Sequence, residues 1–456
     1  MKQEGAGLCL LAVLLAASPA MEARSTGPPV MRTGAAVDGG INCTRCHSGG
    51  AAANTGPGRV IIRARAYTPG VKQPVLVTVE DPDALRWGFQ LIARHASDET
   101  RQAGTFAVAP LIRVRCSTTR TSPEGDDAPC EGNLEFASHT QPATAPSAVP
   151  VLSNTFAVEW TPPAANVGDV MFYAAGNAAN NSGRPDAGDR TYTTSLRISP
   201  LSCNLAGAPL ISASGVVNAA TYRPGISLNS IISIYGSGFA LPGTTRLTAA
   251  EDLVDEKVPK EFACLAVEIA GQRAPIFYVQ PGQINAQAPT LVASGPVSAQ
   301  VILNPGRANE IRSPLLSGVP MQFYAPALFT FNGRSVAARR LDGTIVSDPR
   351  VVAIGTPAKP GEVVVLYGTG FGVTEPVYQA GELPGAVRLS EQVTVMIGGT
   401  TIAASDVLYA GQAPGSAGLC QFNVRIPAAA PDGDLPVSFS IRGFQTPGEI
   451  TIPVKR

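Results

Sequence analysis

Apolar residues recur at every second position through much of this chain. Phe156, Val158 and Trp160 point one way while Ala157, Glu159 and Thr161 point the other, and Val75, Val77 and Val79 repeat the pattern. A period of two over five or more residues marks a strand with one buried face. Between residues 58 and 200 about nine such segments alternate with turn signals such as Thr68-Pro69-Gly70 and Thr161-Pro162-Pro163, a spacing that suits a β-sandwich. Residues 24–57 are rich in Gly, Ala and Thr and show no period, so they read as a loose arm.

The last 240 or so residues carry an internal repeat. Ile232-Ser233-Ile234-Tyr235-Gly236-Ser237-Gly238-Phe239 matches Val364-Val365-Leu366-Tyr367-Gly368-Thr369-Gly370-Phe371. Further on, Gln283-Ile284-Asn285-Ala286-Gln287-Ala288-Pro289 matches Gln421-Phe422-Asn423-Val424-Arg425-Ile426-Pro427. Two blocks in the same order predict two similar sandwiches in tandem, over 213–320 and 321–456, with 201–212 as a linker. The Tyr-Gly-x-Gly-Phe element reads as a strand entering a glycine-dependent turn. A phosphate-binding loop would need a helix after it, and Pro242 with its strand-like surroundings offers none. The expected fold is therefore all-β: three tandem immunoglobulin-like β-sandwiches after a signal peptide and a Gly-rich arm.

Composition supports that reading. Gly (47) and Pro (40) are abundant in a chain of 456 residues, which argues against long helices. Lys+Arg and Asp+Glu both number 34, and this balance speaks against a nucleic-acid binder. Residues 1–23 have the form of a secretory signal peptide, with Lys2, an apolar run over residues 8–17 and Ser18-Pro19-Ala20 as a cleavage site. No later apolar run is long enough to span a bilayer, so no membrane span is expected in the mature chain. The expected location is outside the cytoplasm, secreted, periplasmic or on the cell surface.

Cys43-Thr44-Arg45-Cys46-His47 is the sharpest chemical motif. Cys-x-x-Cys-His is the signature of covalent c-type haem attachment: two thiols add across the vinyl groups and the histidine ligates the iron. One covalent haem c is the expected cofactor. Three other readings stay open: a zinc site, which lacks a second Cys-x-x-Cys; a redox dithiol, which lacks the strand-to-helix context; and a plain structural disulfide. His139 is the candidate second iron ligand. By alternation it faces opposite to Leu134 and Phe136, hence off the core, where a solvated surface histidine is the plain alternative. His95 reads as a loop residue. Cys116 and Cys130 flank a polar loop and are a candidate disulfide, whereas the pairing of Cys203, Cys264 and Cys420 is open. Asp186 and Asp189, with Asn180 and Asn181, read as a solvated turn, since their spacing does not fit an EF-hand. With three histidines and no Gly-x-Ser-x-Gly element, hydrolase chemistry finds no support, and no enzyme activity is expected.

Phe156-Ala157-Val158-Glu159-Trp160-Thr161-Pro162-Pro163, Val170-Met171-Phe172-Tyr173-Ala174-Ala175-Gly176-Asn177, Trp87-Gly88-Phe89-Gln90-Leu91 and Tyr192-Thr193-Thr194-Ser195-Leu196 resemble a reelin-type (Reeler) domain. Bacterial secreted relatives, also called choice-of-anchor domains, often begin with a motif like Cys43 to His47. A His-Thr like His139-Thr140 recurs in them, while the position of His95 is usually apolar; the resemblance thus favours His139 as ligand. Gly215-Val216-Val217-Asn218-Ala219-Ala220, Tyr278-Val279-Gln280-Pro281-Gly282 and Leu366-Tyr367-Gly368-Thr369-Gly370 resemble a C-terminal module of large secreted soil-bacterial proteins. Its halves look like IPT/TIG folds, which implies interaction or display. Two functional expectations follow. One is an exported haem carrier for electron transfer or haem-based sensing, with a redox partner. The other is a non-catalytic adhesion or matrix protein that binds an extracellular or cell-surface protein or glycan, with Cys43 and Cys46 bridged.

Overall fold

Six β-sheets pair into three sandwiches along the chain, each around its own apolar core. The computed structural model describes residues 24–47, 51–117, 125–290 and 294–456; the expected signal peptide lies outside them. The described chain divides into two compact units, one ending at Pro200 and the other beginning at Leu201.

The first unit holds strands β1 (Arg59–Arg63), β2 (Gln73–Glu80), β3 (Arg86–His95), β4 (Asp98–Gln102), β5 (Thr105–Phe106), β6 (Ile112–Cys116), β7 (Asp126–Asp127), β8 (Glu135–His139), β9 (Ser153–Thr161), β10 (Val170–Ala179) and β11 (Arg190–Ile198). One sheet runs β1-β2-β9-β5 and the other β11-β10-β3-β8-β6-β7, with β4 on β3. Val75, Val77, Val158, Trp160, Leu91 and Phe172 fill the space between them. The alternating apolar positions read from the sequence are the inward ones. Cys116 and Cys130 form a disulfide with Cα atoms 5.1 Å apart.

The arm ahead of β1 is docked over its first described stretch. Its residues 24–47 lie on the outer face of the larger sheet. Val30 packs with Ile92 and Phe136, with Met31, Leu134 and Tyr173 around them. The Gln90 side chain donates to the Pro29 carbonyl (2.8 Å) and accepts from the Arg32 N–H (2.6 Å). Arg94, 1% exposed, pairs with both carboxylate oxygens of Asp38. The larger sheet is therefore covered on both faces, like the sheets of α/β proteins.

The second unit contains both repeats. In the first, Leu210–Asn218, Ile231–Ser237, Gln283–Gln287, Ile276–Gln280 and Arg246–Leu247 form one sheet in that order; Leu316–Gln322, Gly295–Leu303 and Leu265–Ile269 are the main strands of the other. In the second, Ala338–Arg340, Val363–Thr369, Cys420–Arg425 and Val407–Gln412 are consecutive in one sheet, facing a sheet built on Thr394–Ile397 and Gly433–Ile441. The matched sequence blocks are adjacent central strands in the same register: Tyr235 lies opposite Gln283, and Tyr367 opposite Gln421. Even the side-chain bond recurs, Gln283 to Asn285 at 2.8 Å and Gln421 to Asn423 at 2.9 Å. Gly238 and Gly370 turn the chain at φ +72° and +83°. A side chain at Gly368 would meet the Phe371 ring at 2.8 Å, so glycine there lets the phenylalanine fold back over the strand.

Two expected boundaries change. Residues 201–212 are no free linker: Cys203 is bridged to Cys264, the Leu205 N–H donates to Asn304, and the first strand of the unit starts at Leu210. Met321 belongs to the last long strand of the first repeat, and the first strand of the second is Ala327–Leu328, so the junction falls near residues 323–326. Among the described residues, no helix is long and apolar enough to cross a membrane.

Candidate functional site

Asn42 starts a single 3₁₀ turn over Cys43–Arg45 by accepting the Thr44 N–H at 3.0 Å. The Cys46 and His47 N–H groups then both return to the Cys43 carbonyl, at 3.1 and 2.9 Å. Residues three and four apart on a helical turn share a face, so this turn gathers Cys43, Cys46 and His47. All three line a cleft of about 950 Å³, open mouth included. Cys43 and Cys46 are free thiols. Cys43 is buried, and that burial, with Cys46 beside it, pushes its pKa up to about 12. The thiol is protonated and a poor nucleophile while the arm is docked.

His47 Nδ1 lies 2.6 Å from Asp189 Oδ2, and the carboxylate is nearly inaccessible to solvent. A buried carboxylate accepting from Nδ1–H fixes the ring and leaves the lone pair on Nε2, the tautomer a metal-ligating histidine needs. Asp189 also accepts the Asn180 N–H (3.2 Å), and Asp186 closes the loop by accepting from Asn180, Ser182 and Gly188. The loop expected to be a solvated turn is thus a support for His47. Sequence reasoning missed Asp189 because its partner lies 142 residues away. It also missed Asn177, whose amide stands 3.4 Å from the same ring nitrogen.

His139 lines the same cleft. The alternation was right, but its sign was reversed. Phe136 packs outward under the arm, while Ala137 and the His139 ring lie toward the inner core. The His139 ring sits 6.4 Å from both Phe89 and Phe156 and is 7% exposed, not a surface side chain. Its Nδ1 is 3.0 Å from the Phe89 nitrogen and 3.2 Å from the Phe89 oxygen, so it takes over the backbone pairing where β8 ends. A second hydrogen bond runs to the Arg24 backbone. Burial lowers its pKa to about 4, opposed by these two bonds, so the ring is neutral at pH 7. A Cβ at Gly88 would come within 2.8 Å of His139 Cε1; glycine at that position makes room for the ring.

His95, expected in a loop, is the buried last residue of β3, opposite Val170 and Asp98, and does not line the cleft. Among the described residues there is no cluster of three or more His, Cys, Asp or Glu arranged to hold a bare metal ion. The donor set is of another kind: two unbridged thiols, one anchored imidazole and a second, buried neutral imidazole, with Pro28, Pro29, Trp87 and Phe89 in the same wall. That set suits a flat apolar group held at its edge by the thiols and at its centre by an imidazole.

No family of known sequences matches the chain, and no curated protein does. Solved structures do resemble it in fold. The human F-spondin reeler domain is 16% identical, with 34% of this chain and 96% of that one covered and a TM-score of 0.22. An uncharacterized Nocardia farcinica protein with an immunoglobulin-like fold is 16% identical over 31% and 97%, TM-score 0.17. The Bacteroides ovatus glucan-utilization protein SGBP-B, solved with a mixed-linkage heptasaccharide, is 10% identical over 90% and 69%, TM-score 0.25.

Proposed function

We propose that residues 24–200 form an exported haem c module, acting in electron transfer or haem-based sensing outside the cytoplasm. The observation that carries this reading is the convergence of the free thiols of Cys43 and Cys46, the Asp189-anchored His47 and the buried, neutral His139 on one cleft. Bound there, the group supplies one-electron chemistry at an imidazole-ligated iron. The chain's part is to hold and orient. Cys43 and Cys46 would fix the ring covalently, Asp189 sets the His47 tautomer, and the docked arm buries the Cys43 thiol away from water. Because a buried, protonated thiol reacts slowly, attachment in this reading precedes docking of the arm.

His139 would be the second imidazole available to hold the group, since it lines the same cleft as His47. In that role its ring would give up the Arg24 hydrogen bond and donate from Nδ1 to the Phe89 carbonyl, which lies 3.2 Å away. In the adhesion reading Cys43 and Cys46 are bridged, and their separate thiols favour the haem reading over it. The IPT/TIG-like repeats serve as spacing or attachment modules in either case.

The test is the visible spectrum of the full chain secreted from a bacterium that has the haem c machinery. The expected result is a Soret band that survives acid–acetone extraction and is lost in Cys46→Ser, with residues 58–456 still folded. A mature protein without that band overturns the proposal. His139→Ala should turn a low-spin spectrum high-spin, and His95→Ala should leave it unchanged; the reverse pattern would move the ligand assignment.

A further inference from the structure

Four arginines line the cleft beside the thiols and histidines, against a single carboxylate, Asp189, which is already engaged by His47. Arg32 and Arg86 are half-buried and held in place by neutral acceptors only. Arg32 Nη1 donates to the Val30 and Met31 carbonyls, both at 3.1 Å. Its Nε is buried without any hydrogen-bond partner. Arg86 donates from Nε to the Thr144 hydroxyl (3.0 Å) and from Nη1 to Asn181 Oδ1 (3.3 Å). Neither these two nor Arg184 at the rim pairs with a carboxylate among the described residues. Elsewhere in this unit Arg94, Arg113, Arg190 and Arg197 all do.

A guanidinium that is partly desolvated, fixed in direction and left without a counter-charge is costly unless an anion completes it. Arginine's planar fork suits carboxylates in particular. We propose that Arg32 and Arg86 are a carboxylate clamp for the cleft's occupant, and that the occupant is an apolar ring bearing two acid groups. The inference rests on the haem reading and adds to it the orientation of the group: thioether edge at Cys43 and Cys46, propionate edge at Arg32 and Arg86. Arg32 lies on the same docked arm as the thiols, so one short segment would grip the ring at two edges. Arg86 opens β3 two residues before Gly88 and Phe89, the backbone that positions His139.

The experiment uses the full chain with Cys43→Ser and Cys46→Ser, so that binding is reversible, and titrates it with haem and with haem dimethyl ester. Free-acid haem should bind about tenfold more tightly than the diester, the scale of one charge-assisted hydrogen bond. Arg32→Gln together with Arg86→Gln should bring the acid down to the diester's affinity and leave the diester unchanged. Equal affinity of acid and diester, or a preference that survives both arginine changes, overturns the clamp while the haem reading stands. Absence of binding by both compounds, together with no covalent haem in the unaltered chain, overturns both. As a second readout on covalent protein, Arg86→Gln should lower the midpoint potential, because a removed cation no longer favours the reduced state. An unchanged potential counts against the clamp.

Discussion

The two units are built from the same kind of sandwich and differ in what covers it. In the first, an arm whose described residues have no regular secondary structure beyond two short turns lies across a sheet that already has a core beneath it, and all three histidines of the chain lie in this unit. In the second, each sandwich is closed by its own sheets and turns. It has no histidine, two of its three cysteines are bridged, and the third, Cys420, is buried with its pKa raised to about 12. A sandwich buries its inner faces whatever its function. The free Cys43 and Cys46 thiols and the anchored His47 lie where a further segment is added to an outer face, because that addition creates a second interior.

The largest effect expected is on the attachment of the arm. Arg94 and Asp38 are 1% and 7% exposed in their side chains, and Asp38 is the guanidinium's carboxylate partner. Asp38→Ala leaves a buried cation unpaired and should cost about 3–5 kcal/mol. The loss should appear in the calorimetric transition of the first unit and not of the second. Replacing Arg94 by Met in the same chain should restore much of it, since removing both members of a buried pair costs far less than removing one. If Asp38→Ala melts like wild type, the arm is not held as described.

Within the second unit the two copies of the glycine motif offer a finer comparison. Gly238 and Gly370 are matched residues, both at positive φ. A Cβ at Gly238 would stand 3.1 Å from the Ala208 carbonyl oxygen, close enough to need a small shift. A Cβ at Gly370 would overlap the Ala325 carbonyl, with its carbon at 2.7 Å. Gly238→Ala should therefore cost about 1 kcal/mol, the ordinary left-handed penalty. Gly370→Ala should cost about 3 kcal/mol, because backbone must move as well. Denaturant midpoints at equal m-values measure both. Equal losses would mean that the strand beside Gly370 yields as easily as the one beside Gly238.

These comparisons also explain what the sequence could and could not convey. Strand positions and the tandem repeat were legible, since Val75, Val77 and Val79 or Phe156, Val158 and Trp160 each reflect a local period, and the repeated blocks are paired central strands. The arm was not legible. It is pinned by single contacts, Val30 under Phe136, Asp38 on Arg94 and Arg32 on Gln90, and single contacts leave no period. Alternation showed that His139 and Phe136 point to opposite faces, but not which face was inner, because both faces of that sheet are covered. Cys43, Cys46 and His47 were legible as a motif. Asp189 was not, since a buried histidine anchor and a solvated turn use the same Asp, Asn and Gly.

The effect that depends on pH isolates His139 in the haem-free chain. Its folded pKa, about 4, lies below the ordinary value of 6.5, because burial penalises the imidazolium. A depressed histidine contributes stability that is fully present above pH 6.5 and is lost as pH falls towards 4, where the unfolded chain takes up a proton that the folded chain refuses. At pH 5 the loss relative to pH 7 amounts to about 2 kcal/mol. Glutamine in its place can still accept the Phe89 N–H and donate to the Arg24 carbonyl, but it does not titrate. The stability gap between wild type and His139→Gln should therefore shift by about that amount between pH 7 and pH 5, against wild type as pH falls. The second unit has no histidine, so its transition supplies the internal control and should show no such difference. A gap independent of pH would mean that the His139 ring is hydrated in solution, and the cleft wall at Gly88 and Phe89 would then be open to water rather than sealed by this side chain.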